Sequence, residues 1–242
     1  MIRIISDLHY RYHGSKCRDW EQLEPLIHGC DHLVLNGDTL EQRRRKPEVQ
    51  RREREALMAF LARFPKLKVT FVTGNHDPLI SEVHSVSLGD AVVTHGDLFM
   101  RPHGGPLNHG LQQLQERRLR RLRKDAAPAG SSWYHVTRSA WLLWSRFRAG
   151  SNAHKWAVSE QVPLLVVGHT HRPSERWARR VWNTGSYGVF GRPRCVELDH
   201  GRATLRIVRT AGRGGAFHLG RTLASCHWSK TGPSQKTSGG GS

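Results

Sequence analysis

Five apolar runs in this chain each stop at a short cluster of Asp, Asn or His, and in four of the five the cluster contains a glycine. In order, the clusters are Asp7-Leu8-His9, Gly37-Asp38-Thr39-Leu40-Glu41, Gly74-Asn75-His76-Asp77, His95-Gly96-Asp97 and Gly168-His169-Thr170-His171. The runs before them, Met1 to Ser6, His32 to Leu35, Val69 to Val72, Ala91 to Thr94 and Leu164 to Val167, are short and mostly apolar, so they read as buried strands. Residues two apart at a strand end share a face, so Asp7 and His9 can converge on one ion, and so can His169 and His171. Open α/β sheets place ligand sites beyond the carboxyl ends of their strands. One such cluster means little, because turn histidines and capping aspartates are common. Five in succession point to one shared metal site.

The remaining elements follow from periodicity. Between Asp19 and Cys30, Trp20, Leu23, Leu26 and Ile27 recur at helical spacing, with Pro25 demanding a late start or a kink. Glu48 to Phe64 is expected as a helix with Ala56, Leu57, Phe60 and Leu61 on its apolar face. Val181 to Asn183, Cys195 to Leu198 and Ala203 to Arg209 are expected strands, the last two joined by a hairpin turn at Asp199-His200-Gly201-Arg202. Asn183-Thr184-Gly185-Ser186 stands at a strand end and either lines the site or packs. From Ala211 the chain is rich in Gly, Ser, Thr and basic residues, and 211–242 is expected as a disordered tail.

Leu98 to Val162 is too long for a simple connection, so it is expected as an inserted helical cap within a domain of residues 1–210. Leu111, Leu114, Leu119 and Leu122 form one helical stripe, and Val136, Ala140, Leu143 and Phe147 another, with Trp133, Trp141 and Trp144 nearby. The segment holds 11 Lys and Arg against 3 Asp and Glu. A basic helix with tryptophans suits a membrane surface or a lipid with an anionic head. The same pattern also suits a hairpin that packs its aromatics on the core.

Composition narrows the classes. A length of 242 residues fits one domain with an insertion. The formal charge of +18 predicts attraction to nucleic acid, anionic lipid or a phosphate-rich substrate. No apolar run approaches the roughly 18 residues needed to span a bilayer, and the N-terminus enters the first cluster without a signal-peptide pattern. Four cysteines without a Cys-x-x-Cys pair favour a reduced, cytoplasmic setting, with peripheral contact at the inner face of the membrane through the cap.

The five clusters, in this order and content, resemble the signature of the calcineurin-like metallophosphoesterases. The resemblance implies an α/β fold, a four-layer αββα sandwich of that type, holding two divalent metal ions. Carried onto this chain, it implies that Asp7, His9, Asp38 and His171 hold the first ion. Asp38 would bridge to the second, completed by Asn75, His95 and His169. His76 resembles the family histidine that protonates the leaving oxygen, and Asp77 would orient it. Carboxylate, imidazole and amide donors suit Mn first, with Fe or Zn as alternatives. Two ions about 3.5–4 Å apart clamp a phosphoryl group and supply hydroxide from bound water, so no serine or cysteine nucleophile is required.

A finer likeness joins His95-Gly96-Asp97-Leu98-Phe99, the basic insert, Gly168-His169-Thr170-His171-Arg172-Pro173 and Trp182-Asn183-Thr184-Gly185-Ser186 to the UDP-2,3-diacylglucosamine hydrolase branch. That branch carries arginine where this chain has His76. The expected activity is metal-dependent hydrolysis of a phosphodiester or pyrophosphate bond, in a small phosphate-containing or lipid-linked substrate. The alternatives are a nuclease or cyclic-nucleotide phosphodiesterase, whose nucleic-acid contacts the arginines would make, and a non-catalytic binding module on the same fold.

Overall fold

The computed structural model describes residues 1–100, 148–174, 180–188, 191–211 and 214–227. Strand β1 (Ile2–Ile5) is followed by a 3-10 turn at Trp20–Leu23, helix α1 (Glu24–Ile27), β2 (His32–Asn36), α2 (Pro47–Ala62) and β3 (Lys68–Val72). Then come β4 (Ser85–Leu88), β5 (Ala91–Thr94), helix α3 over 148–159, β6 (Leu164–Val167) and β7 (Val181–Asn183). The chain closes with β8 (Arg194–Asp199), β9 (Arg202–Thr210) and β10 (Phe217–His227). Pro25 lies in the first turn of α1, where its missing N–H is no loss, so the segment takes the late start rather than the kink.

Two mixed sheets result. One runs β10-β9-β8-β1-β2-β3 and the other β4-β5-β6-β7. Adjacent residues on β1 show how they stack. Ile4 faces the other sheet and packs in a slab with Val34, Val93, Leu164 and Val166. Its neighbour Ile5 faces outward and joins Leu33, Leu35, Trp20, Leu26, Leu57 and Phe60 beneath α1 and α2. Strands buried on both faces need apolar residues at consecutive positions, which is why these runs do not alternate. On the outer face of the second sheet, α3 buries Ala149, Ala153 and Ala157 against Leu165, Val167 and Val181. The molecule is thus the αββα sandwich expected.

Two expectations need correction, and one strand has no counterpart in the sequence reading. Residues 217–227 form an eleven-residue antiparallel strand on β9 instead of a disordered stretch. Two register irregularities, between Leu219 and Thr222 and between Thr222 and Ala224, break the alternation that would have marked it. The short strand β4 pairs with β5 and had no apolar run to announce it. The expected cap, 98–162, is described only at its ends, and both ends belong to the sandwich. Asp97–Met100 is a 3-10 turn with Phe99 buried, and α3 is a packed layer seated closely by its stripe of alanines. The leucine stripe and the tryptophans, along with residues 228–242, lie outside the described residues.

Candidate metal centre

Parallel pairing brings the carboxyl ends of β1, β2 and β3 to one rim, and those of β5, β6 and β7 to another. The rims are joined directly. Asn36 Nδ2 donates to the Thr94 carbonyl at 2.9 Å, and His95 Nδ1 lies 3.0 Å from the Asn36 carbonyl. Close approach here depends on absent side chains. A Cβ on Gly74 would strike the Asp38 backbone nitrogen, and one on Gly168 would strike the Asp7 carboxylate.

Candidate ligand atoms of Asp7, His9, Asp38 and His171 lie within 4.8 Å of one another, as do those of Asp38, His95 and His169. His171 Nε2 is 3.2 Å from both Asp7 Oδ1 and His9 Nε2, while Asp38 Oδ2 is 3.2 Å from His95 Nε2. Asp38 therefore belongs to both groups. The structure also brings Asn75 to this rim, its backbone between Gly74, which touches Asp38, and His76, whose N–H donates to Asp38 Oδ1 at 2.7 Å. Five of these residues, Asp7 (φ 54), His9 (φ 46), Asp38 (φ 52), His169 (φ 63) and His171 (φ 57), sit in the left-handed region. Such positions cost on the order of 1–3 kcal/mol each and persist where surrounding structure enforces them.

The electrostatics match the crowding. Burial works against the charge of Asp38, but the imidazoles of His95, His76 and His9 outweigh it and hold its carboxyl well below the usual range. Burial likewise opposes a charge on His95, yet Asp38 and Asp7 push its proton affinity well up. His169 goes the other way, to about 3, because burial and the neighbouring His95 both disfavour its charge.

Two observations test whether divalent ions fit these residues. The buried Asn75 Oδ1 has no hydrogen-bond partner, a costly condition unless a further group binds there, and His95 Nε2 faces the Asp38 carboxylate 3.2 Å away, as two ligands of one ion would. With Nδ1 of His95 turned to the Asn36 carbonyl, Nε2 keeps its lone pair for a cation, the arrangement of a ligating histidine. The donors are oxygen and imidazole nitrogen without thiolate, a set suited to divalent ions of the Mn, Fe and Zn kind. They fit.

His76 and Asp77, paired by the sequence reading, do not meet as expected. Asp77 is fully buried and accepts backbone N–H groups from Asp38 (2.8 Å), Thr39 (2.7 Å), Leu40 (3.2 Å) and Gly74 (3.0 Å). Burial and the neighbouring Asp38 carboxylate push it up to about 6. It shapes the loop that presents Asp38. The partner of His76 is Glu41, whose two oxygens lie 2.7 and 2.8 Å from His76 Nδ1. Burial opposes the charge of Glu41, but His76 and His9 outweigh it and bring it down to about 2. Glu41 closes the second cluster of the sequence, Gly37-Asp38-Thr39-Leu40-Glu41. Its place three residues after Asp38, on the same turn, was the available signal.

Fold and donor set together define an α/β sandwich with a candidate dinuclear metal centre at its strand ends. A model of the calcineurin-like phosphoesterase family matches residues 1–173, and the chain belongs to that family, which makes it a metal-dependent phosphoesterase. No curated protein matches its sequence in a comparison of that kind. Among solved structures, Vps29 from Chaetomium thermophilum aligns with a TM-score of 0.49 at 11% identity, over 94% of this chain and 98% of the other. A dimetal phosphatase from Danio rerio aligns at 0.48 and 14%, over 94% and 98%. A predicted phosphoesterase from Streptococcus pneumoniae aligns at 0.43 and 16%, over 92% and 94%. At these scores and identities the likenesses carry no argument about activity.

Proposed function

We propose that the chain hydrolyses a phosphodiester or pyrophosphate bond at a dinuclear centre, with Asp38 as the bridging ligand. The observation behind this reading is the Asp38 carboxylate standing in both donor groups. Asp7, His9 and His171 would complete one position, and Asn75, His95 and His169 the other. Manganese is the first choice for both. Two divalent ions there would neutralise phosphoryl charge and make a water nucleophilic near neutral pH.

The chain's own groups divide the remaining work. Glu41, ionised, accepts the Nδ1–H of His76 and so turns Nε2 toward the open side, where the ring is partly exposed. Nε2–H is then the atom that protonates the departing oxygen. Asp77 accepts three backbone N–H groups from the Asp38 loop and a fourth from Gly74 on its own loop, and so ties the two loops together.

For the substrate we favour an amphiphile, such as a nucleotide-linked lipid. A cavity of about 110 Å³ adjoins the fifth cluster, walled by Phe99, Ala149, Ala153 and Val181, with Arg172 and Thr170 as polar members. Apolar walls beside a guanidinium suit a leaving group with an apolar body and an anionic edge. The peripheral membrane contact we propose would be made by the basic cap segment, whose arginines and tryptophans suit an anionic lipid surface. The test is a Mn-supplemented panel of nucleotide-lipid pyrophosphates, cyclic nucleotides, short DNA and a chromogenic phosphodiester. Turnover of the lipid pyrophosphate above the others supports the reading. Preference for DNA with steep loss of rate in salt would replace it with a nuclease. No turnover of any member would leave the binding-module alternative.

A further inference from the structure

We propose that the strand end after β7 is a sixth arm of the centre: Thr184, acting through Ser6, positions the Asp7 carboxylate for a cation that Thr184 never touches. The proposal rests on the dinuclear reading above and deepens it.

The hydrogen bonds at Asp7 are asymmetric. The His169 N–H is shared between the two oxygens, at 3.1 Å from Oδ1 and 3.0 Å from Oδ2, and the Ser6 hydroxyl donates to Oδ2 alone. Oδ1 lies 3.2 Å from His171 Nε2 and so faces the first donor group. The Ser6 hydroxyl has one proton, and that proton goes to Asp7. The Thr184 hydroxyl has two acceptors within reach, the Val167 carbonyl at 3.3 Å and Ser6 Oγ at 2.5 Å, and the shorter contact takes its proton, with Thr184 as donor. The relay runs Thr184 to Ser6 to Asp7 Oδ2. It ties one carboxylate oxygen back and leaves the other for the cation.

The far end of the relay is anchored. The Thr184 N–H donates to the Val167 carbonyl at 3.0 Å, and the Thr184 carbonyl accepts the Arg194 N–H at 2.8 Å. Three residues on, the Tyr187 N–H donates to the Asp7 carbonyl at 3.1 Å, fixing the backbone that carries the carboxylate in its left-handed conformation. Asn183 completes the turn, with Nδ2 donating to the Gly168 carbonyl at 2.7 Å, just before His169. Ser6, Asp7, Thr184 and Ser186 are all essentially inaccessible to solvent, so water cannot stand in for a missing hydroxyl. Groups that orient a metal-binding carboxylate in this way typically change metal affinity by about 10- to 100-fold when removed.

The experiment uses the full chain and Co²⁺ as the metal probe, with binding followed by visible absorption and folding by thermal unfolding without added metal. Ser6→Ala and Thr184→Val should each weaken Co²⁺ binding by about 10- to 100-fold. Thr184→Ser, which keeps the hydroxyl, should restore most of the affinity. The double variant should bind no more weakly than the weaker single one, since both break the same relay. A shifted unfolding midpoint with unchanged Co²⁺ affinity, or additive losses in the double variant, would overturn the proposal. Should Thr184→Val fail to fold, Ser6→Ala decides by the same titration. A wild-type chain that takes up no Co²⁺ overturns the dinuclear reading and this proposal together. A wild-type chain that binds Co²⁺ no better than folded Ser6→Ala overturns this one alone.

Discussion

The slab between the two sheets and the rim at their strand ends are built on opposite terms. In the slab, Ile4, Val34, Val93 and Val166 are ordinary strand residues, buried and apolar. At the rim, Asp7, Asp38, Glu41, Asp77 and His95 are buried and polar. Of the eight non-glycine residues with positive φ among the described residues, five are candidate ligands on that rim. The slab and the helix-facing cores supply stability, and the rim consumes it. Rim substitutions should therefore change chemistry while leaving the fold, and core substitutions should do the reverse.

The largest effect that would sharpen this contrast is expected at His76. His76→Ala should slow hydrolysis of substrates with poor leaving groups by about 10²- to 10⁴-fold, with metal content and unfolding midpoint unchanged. Glu41→Gln should follow in the same direction with a smaller loss, because it keeps the ring but weakens its orientation. Equal rates for wild type and His76→Ala on such substrates would remove the proposed proton donor. Next in size is Leu57→Ala beneath α2, which should destabilise the fold by about 2–5 kcal/mol in denaturant unfolding. The folded fraction should bind metal as before; a parallel loss of affinity would break the separation of core from rim. The smallest effect is expected at the hairpin between β8 and β9, where His200 (φ 42) precedes Gly201 (φ 76). Such a turn prefers Asn-Gly, so His200→Asn should raise stability by roughly 0.5–1 kcal/mol in the same assay, without touching activity.

The two regions were also unequally legible in the sequence. Each strand-end cluster is local, so Asp7-Leu8-His9 or Gly168-His169-Thr170-His171 could be read from a few residues, and the sandwich followed from the family resemblance that the clusters carry. What could not be read were roles that depend on contacts across the chain. Glu41 meets His76 over a separation of 35 residues, and Asp77 spends its oxygens on backbone donors that carry no side-chain signature. Strand β10 was hidden by its irregular register, and α3 by a buried face made of alanines, whose apolar signal is weak. Thr184 and Ser6 look like ordinary small polar residues until the fold places their hydroxyls 2.5 Å apart.

The shared position of Asp38 is the claim on which the rest stands. Anomalous diffraction from a Mn-soaked crystal measures it most directly. The account predicts two peaks on either side of the Asp38 carboxylate, one among Asp7, His9 and His171 and the other among Asn75, His95 and His169. Asp38→Ala should lose both. Peaks elsewhere, or a single ion that Asp38 does not touch, would contradict it.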